Sequence, residues 1–180
     1  MDEPGEPVNA AFLTSAARGG YKSTFMNVRR SAAKPVRILF VCLANLCRSP
    51  MAKAIASHEL GESVKAESAG VAPLATRIPE EGLEVIRRRT GLDASGHRPR
   101  FVLDFRLDDF DYIIGMDSSV FMRLSAMSEI PKDKLYGWEI SDPCGLGSDA
   151  YERTARQIEQ YLEQFLLNRE MERSAAGKKA

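Results

Sequence analysis

Two cysteines, Cys42 and Cys47, stand in the stretch VCLANLCRSP at residues 41–50, where Arg48, Ser49 and Pro50 follow the second thiol. An apolar run ends at Cys42, and Pro50 suits a first helical turn, where its missing N–H costs nothing. Between them the amides of Leu43, Ala44, Asn45, Leu46, Cys47 and Arg48 must turn within a short loop. If that loop curls, its N–H groups converge. With the positive end of the following helix they make an anion site, which also favours the thiolate form of a cysteine aimed into it. Arg48 adds a planar fork matched to phosphate oxygens, and Ser49 can hydrogen-bond the thiolate. The C-x5-R arrangement thus sets Cys42 as a nucleophile facing a bound phosphate. Alone the pattern is weak, because a cysteine closing a strand is more often a small buried hydrophobe. Arg48-Ser49-Pro50 at this spacing reverses that reading.

Those side chains need a frame. VRILFVC is a β-branched and aromatic run suited to a strand buried on both faces, and PMAKAIASHEL after the loop reads as a helix. SVKAESAG is a second, weaker strand. IPEEGLEVIRRRTG reads as a helix with Leu83, Val85 and Ile86 on its buried side and Gly91 just past its end. FDYIIGM is a third strand, DSSVFMRLSAM a helix with a polar cap, and KLYGWEI a fourth strand. A closing helix is expected to start near Asp149, which has capping-box spacing to Glu152, with Tyr151, Ile158, Leu162, Phe165 and Leu166 along one stripe. Strands separated by helices predict an α/β fold: a four-stranded parallel sheet flanked by helices on both faces. Such sheets bind ligands beyond the C-terminal ends of their strands, and the phosphate loop falls at the end of the first.

The chain has 180 residues, enough for one ordinary core. Residues 1–33, rich in Gly, Ala, Ser and Pro without periodicity, read as a disordered arm, with Met26 as an alternative start. The domain is expected over 34–170 and a frayed tail over 171–180. Lys and Arg balance Asp and Glu at 25 each, so no basic excess points to nucleic acid. No apolar run suits a membrane span, and the acidic opening MDEPGEP is unlike an export signal. Three cysteines without paired spacing fit a reducing cytoplasm better than a disulfide framework or zinc site.

VCLANLCRSP near the start and SDPCGLG near the end resemble the signatures of the low-molecular-weight protein tyrosine phosphatases, and ESAG, SGHRPR and GMDSS follow in family order over roughly residues 36 to 167. The resemblance implies a two-step hydrolysis without metal or organic cofactor. Cys42 would attack phosphorus, Arg48 and the loop amides would stabilise the equatorial oxygens, and Asp142 would serve as acid and then base. Asn45, Ser68 and His97 match positions that hold the loop in shape, and Ser49 matches the hydroxyl that eases Cys42 from its phosphate. The implied partner is a phosphorylated protein or peptide, with no nucleic acid and no membrane, and a monomer is expected.

Bland readings stand beside these roles. Asp142-Pro143 alone is usually a turn, His97 is structural rather than a general base, and His58 is solvated on a helix. Arg87, Arg88 and Arg89 cap a helix C-terminus, and a helix start is favoured over a substrate-side contact for Asp117. Ala44 stands where the family usually has glycine, at a cost of about 1 kcal/mol if its φ is positive and none if negative. Cys144 and VAPLAT replace the aromatic residues with which tyrosine-specific members grip a phenyl ring. DPCGLG is closer to the bacterial branch that includes protein-arginine phosphatases, although the apolar Leu46 favours an aryl group over a guanidinium. A thiol-dependent arsenate reductase and a non-catalytic phosphate-binding module complete the rival functions. The former lacks its further cysteines here, and the latter sits poorly with a full set of chemical residues.

Overall fold

The computed structural model describes residues 34–177, the side chains as far as residue 167. The arm over 1–33 and the start at Met26 lie outside the described residues.

Hydrophobic alternation builds the first strand and divides the core. In β1 (Val36–Cys42), Ile38, Phe40 and Cys42 face one apolar cluster while Leu39 and Val41 face the other, and all five are buried. A strand coated on both sides needs helices on both sides. The chain supplies them as α1 (Arg48–Leu60), β2 (Val64–Gly70), α2 (Glu80–Thr90), β3 (Tyr112–Gly115), α3 (Ser118–Ala126), β4 (Leu135–Gly137) and α4 (Ser148–Gly177). Residues of α1, α2 and α4 pack on the Phe40 face, and Val120 and Leu124 of α3 pack on the Leu39 face with Val102, Leu107 and Phe110.

All four strands are parallel, in the order β2-β1-β3-β4. β1 pairs with β2 from Val36↔Val64 to Cys42↔Gly70, and with β3 from Ile38↔Tyr112 to Val41↔Gly115. The chain leaves β1 toward β2 on one side and returns to β3 on the other. The loops after β1 and β3 therefore part at the sheet's switch point, where a crevice opens beyond the strand ends. Cys42 stands at its floor.

Most element expectations hold, and the differences have causes. The fourth strand is shorter than KLYGWEI, pairing with β3 as far as Gly115↔Gly137, and past it Trp138 N–H and Ile140 N–H still donate to Gly115 O (2.8 Å) and Met116 O (2.9 Å). On α2, Val85 and Ile86 are buried but Leu83 is only half-buried. The tight contact there is Gly82 against Tyr151, where a Cβ would meet Cε1 at 3.0 Å. Gly91 ends α2 in the left-handed region, φ 72°, where glycine carries no steric penalty. The Arg87–Arg89 run does more than cap α2: Arg88 and Arg89 pair with Glu152 of α4, and Arg89 Nη1 also reaches Glu159 Oε1 at 2.6 Å. Glu152 thus ties two helices together instead of closing a capping box.

Along α4, Tyr151, Ala155, Ile158, Leu162, Phe165 and Leu166 are buried on one stripe. Phe165 stacks edge-on against Tyr112 with centroids 4.8 Å apart. Each large apolar side chain so buried contributes about 1.5–3 kcal/mol, so this stripe holds α4 to the sheet. The backbone is helical to Gly177, so the tail expected over 171–180 lies partly on this helix, its side chains outside the described residues.

Candidate active site

The loop between β1 and α1 is held open by its neighbours. Its carbonyls at Cys42, Leu43 and Ala44 accept from the N–H groups of Val71 (3.0 Å), Ala72 (2.9 Å) and Leu74 (3.4 Å), so they turn toward the segment leaving β2. At Asn45 the chain reverses with φ 58°, the positive φ of a non-glycine residue among those described. Asn tolerates that region better than most. Ala44 carries no such φ, so its methyl adds no strain. Asn45 N–H then points back at Cys42 Sγ, 3.3 Å away.

Asn45 is the loop's internal brace, fully buried. Its Nδ2 donates to Ser49 Oγ (2.9 Å), its Oδ1 accepts from Arg100 N–H (2.9 Å), and its carbonyl faces His97 Nε2 at 2.8 Å. Burial lowers the His97 pKa, which keeps the ring neutral and fits Nε2–H as donor to that carbonyl.

Ser49 Oγ lies 3.1 Å from both Cys42 Sγ and Ala69 O. Its single proton serves one of them at a time. While Cys42 is a thiol, Ser49 can donate to Ala69 O and accept from the S–H. Once Cys42 is a thiolate, the hydroxyl can turn to the sulfur.

Arg48, from the first turn of α1, reaches out of the loop. Nη1 pairs with Asp117 Oδ2 and lies 3.4 Å from Ile140 O, while Nη2 donates to Asp142 Oδ2 at 2.8 Å. The guanidinium is buried, Asp117 nearly so, and Asp142 is about half exposed. Burial opposes charge on Asp117, but hydrogen bonds from Ser119 and Val120 N–H and the Arg48 guanidinium outweigh it and lower its pKa. Asp142 Oδ1 accepts from Cys144 N–H at 3.2 Å, which fixes the second carboxylate at the turn. Residues 94 apart in the chain thus meet across the crevice.

Cys47, the second thiol, faces away into the core, where its Sγ lies 3.3 Å from the buried Tyr151 hydroxyl. Burial pushes its pKa up to about 12, so it stays a thiol. Leu46 is buried and Leu43 exposed. Cys42, Leu43, Ala44, Asn45, Leu46, Cys47, Arg48 and Ser49 form one loop, with Asp142 and His97 brought to it from elsewhere.

Ser68 is buried on β2, beside Ala69, whose carbonyl accepts from Ser49 and ties that strand to the loop. Sequence reasoning weighed a substrate-side contact for Asp117 and preferred the helix start, without a link to Arg48. It does cap α3, accepting from Val120 N–H at 2.8 Å, and it also holds Arg48. Its position just after β3, at the switch point, was the available signal.

The family described as low molecular weight phosphotyrosine protein phosphatase matches residues 37–176. This chain belongs to that family. A low molecular weight protein-tyrosine-phosphatase of Bacillus subtilis, YfkJ, is 43% identical over 99 residues, which span 52% of this chain and 64% of that protein. The crystal structure of a low molecular weight protein tyrosine phosphatase from T. tengcongensis is 32% identical, with a TM-score of 0.63 over 72% of this chain and 99% of that one. The YwlE arginine phosphatase of Geobacillus stearothermophilus is 26% identical, with a TM-score of 0.67 over 78% of this chain and 97% of that one.

Proposed function

We propose that this chain is a cytoplasmic enzyme that removes phosphate from phosphotyrosine on proteins by two successive transfers. In the first, the Cys42 thiolate attacks phosphorus. The P–O bond to the tyrosine breaks, its electron pair goes to the leaving oxygen, and the Asp142 carboxylic acid protonates that oxygen. In the second, Asp142 takes a proton from water, the oxygen attacks phosphorus, and the Cys42 thiolate leaves as Ser49 donates a hydrogen bond to it. Inorganic phosphate is released and the protons balance.

One observation carries this reading: the fork of Arg48, rooted beside Cys42, meets the carboxylate of Asp142 across the crevice. A phosphate bound over the thiol would take Arg48 for its equatorial oxygens. That would free Asp142 for the leaving group on the far side. Asn45, Ser49 and His97 keep the loop amides in place, as positioning residues. No helix among the described residues is long and apolar enough to cross a membrane, and all three cysteines are free thiols.

Phosphoarginine is the second reading, drawn from the YwlE likeness; the apolar Leu46 of the loop favours the aryl ester. The test is phosphate release in EDTA from a phosphotyrosine peptide and a phosphoarginine peptide, with Cys42→Ser as control. The expected result is preferred release from phosphotyrosine, with Cys42→Ser slower by at least about a thousandfold. Release that ignores Cys42, or stops in EDTA, contradicts the mechanism. Preference for phosphoarginine contradicts the substrate.

A further inference from the structure

Asp142 stands at the start of a turn with little to hold it. Residues 143–147 include two glycines at positive φ, Gly145 and Gly147, both at 74°, and a Cβ on either would meet nothing within 4 Å. Hydrogen bonds in this turn are local: Cys144 N–H donates to Asp142 Oδ1 at 3.2 Å and Leu146 N–H to Pro143 O at 3.0 Å. Pro143 is buried but has no N–H to give. A carboxyl group that must deliver one proton to one oxygen needs a firmer base than such a turn supplies.

The firmer base lies on the other side of the acid. Ser141, the residue before Asp142, is held at both of its backbone groups by one helix. Its N–H donates to Gln157 Oε1 at 3.1 Å, and its carbonyl accepts from Thr154 Oγ1 at 3.1 Å. Thr154 and Gln157 are three residues apart on α4 and so share a face. A buried threonine within a helix commonly turns its hydroxyl onto a carbonyl of the preceding turn, as Thr90 does to Ile86 O at 2.7 Å. Thr154 is equally buried, yet its hydroxyl reaches 13 residues back along the chain to Ser141. The helix that carries it is itself fixed, through Glu152 and Glu159 to the α2 arginines and through its apolar stripe to the sheet.

The other tether of Asp142 is Arg48 Nη2, 2.8 Å from its Oδ2. In the mechanism above a bound phosphate takes that guanidinium, so this tether is lost at the moment the acid has to act. The two bonds to Ser141 remain. We infer that Thr154 and Gln157 are positioning residues that aim Asp142 at the leaving oxygen in the substrate complex, by clamping the two peptide units that flank Ser141. This rests on the reading of Asp142 as the acid.

The test takes the ratio of kcat/KM on phenyl phosphate to kcat/KM on p-nitrophenyl phosphate, whose leaving group needs less protonation. A change that merely loosens the protein lowers both alike and leaves the ratio where it was. Thr154→Val keeps the branched shape and removes the hydroxyl; it is expected to lower the ratio by about five- to tenfold, while Thr154→Ser holds it within about twofold of wild type. Gln157→Met should move the ratio in the same direction as Thr154→Val. Gln157 is only half-buried, so this variant carries the test where Thr154→Val does not fold. Asp142→Asn itself lowers the ratio, and in that background neither substitution should lower it further by more than about twofold. A ratio that Thr154→Val and Gln157→Met both keep, a Thr154→Ser ratio as low as that of Thr154→Val, or a fall that recurs undiminished in the Asp142→Asn protein overturns the clamp and leaves the acid role of Asp142 intact. An Asp142→Asn protein with the wild-type ratio overturns that role and the clamp with it.

Discussion

Gly70→Ala tests whether the loop amides are positioned as tightly as the mechanism requires. Gly70 closes β2 directly beside Cys42 in register, and its N–H is fixed to Arg100 O at 2.9 Å. A Cβ placed there would meet Leu43 O at 2.8 Å, Ala44 C at 3.1 Å and Asn45 N at 3.1 Å, all backbone atoms of the loop. Ordinary van der Waals contact begins at 3.4 Å, so about 0.6 Å must be found at Leu43 O (3.4 minus 2.8). Strand pairing on both sides of Gly70 makes the loop the part that yields. Overpacking of this kind costs about 1–3 kcal/mol, which lowers Tm by roughly 2–10 °C in a chain of this size. A shift of half an ångström in groups that hold a transition state lowers kcat/KM by about 10- to 100-fold. Urea unfolding and p-nitrophenyl phosphate turnover measure the two effects. Gly96→Ala is the control, because nothing lies within 4 Å of a Cβ at that position and both quantities should be unchanged. A Gly70→Ala protein with kcat/KM within about twofold of wild type would refute the reasoning.

Other perturbations separate chemistry from support. Asp142→Asn should lower kcat on a phosphotyrosine peptide by about 10²–10⁴, with a smaller loss on p-nitrophenyl phosphate, whose leaving group needs less protonation. Its stability should change by less than about 1 kcal/mol, because the Asp142 carboxylate is half exposed. Asn45→Ala removes the partners of Ser49 and Arg100 N–H and leaves a methyl residue at positive φ, so a loss of about 2–4 kcal/mol is expected by denaturant unfolding. Burial depresses the His97 pKa, so below about pH 6.5 the unfolded chain binds that proton more readily. Stability should therefore fall as pH drops from 6.5 through the folded-state value, and His97→Asn should flatten that dependence in urea titrations across the window.

The architecture was legible because its signals are local. β1 reads from seven residues, the loop from C-x5-R with proline in the next turn, and α4 from its apolar stripe. The family resemblance, by contrast, brought Asp142 and His97 to the loop. What the sequence hid are contacts set by topology. Asp117 caps a helix in any reading, and its second role exists only because β3 lies beside β1 and brings the end of its loop to Arg48. Tyr151 reads as one more core aromatic on α4, yet its hydroxyl meets the Cys47 sulfur 104 residues away. Glu152 has capping-box spacing to Asp149, but the α2 arginines outcompete that local bond across two packed helices. The glycine position at Ala44 misleads for a related reason: the reversal falls at Asn45, whose side chain is braced on both sides.

The central claim is that phosphate passes through the sulfur of Cys42. Rapid acid quenching of the wild-type protein during turnover of a phosphotyrosine peptide, followed by mass spectrometry of the digested chain, tests it directly. A phosphate on Cys42, absent from Cys42→Ser and formed before free phosphate appears, is the predicted result. Phosphate release at the wild-type rate with Cys42 never modified would contradict it.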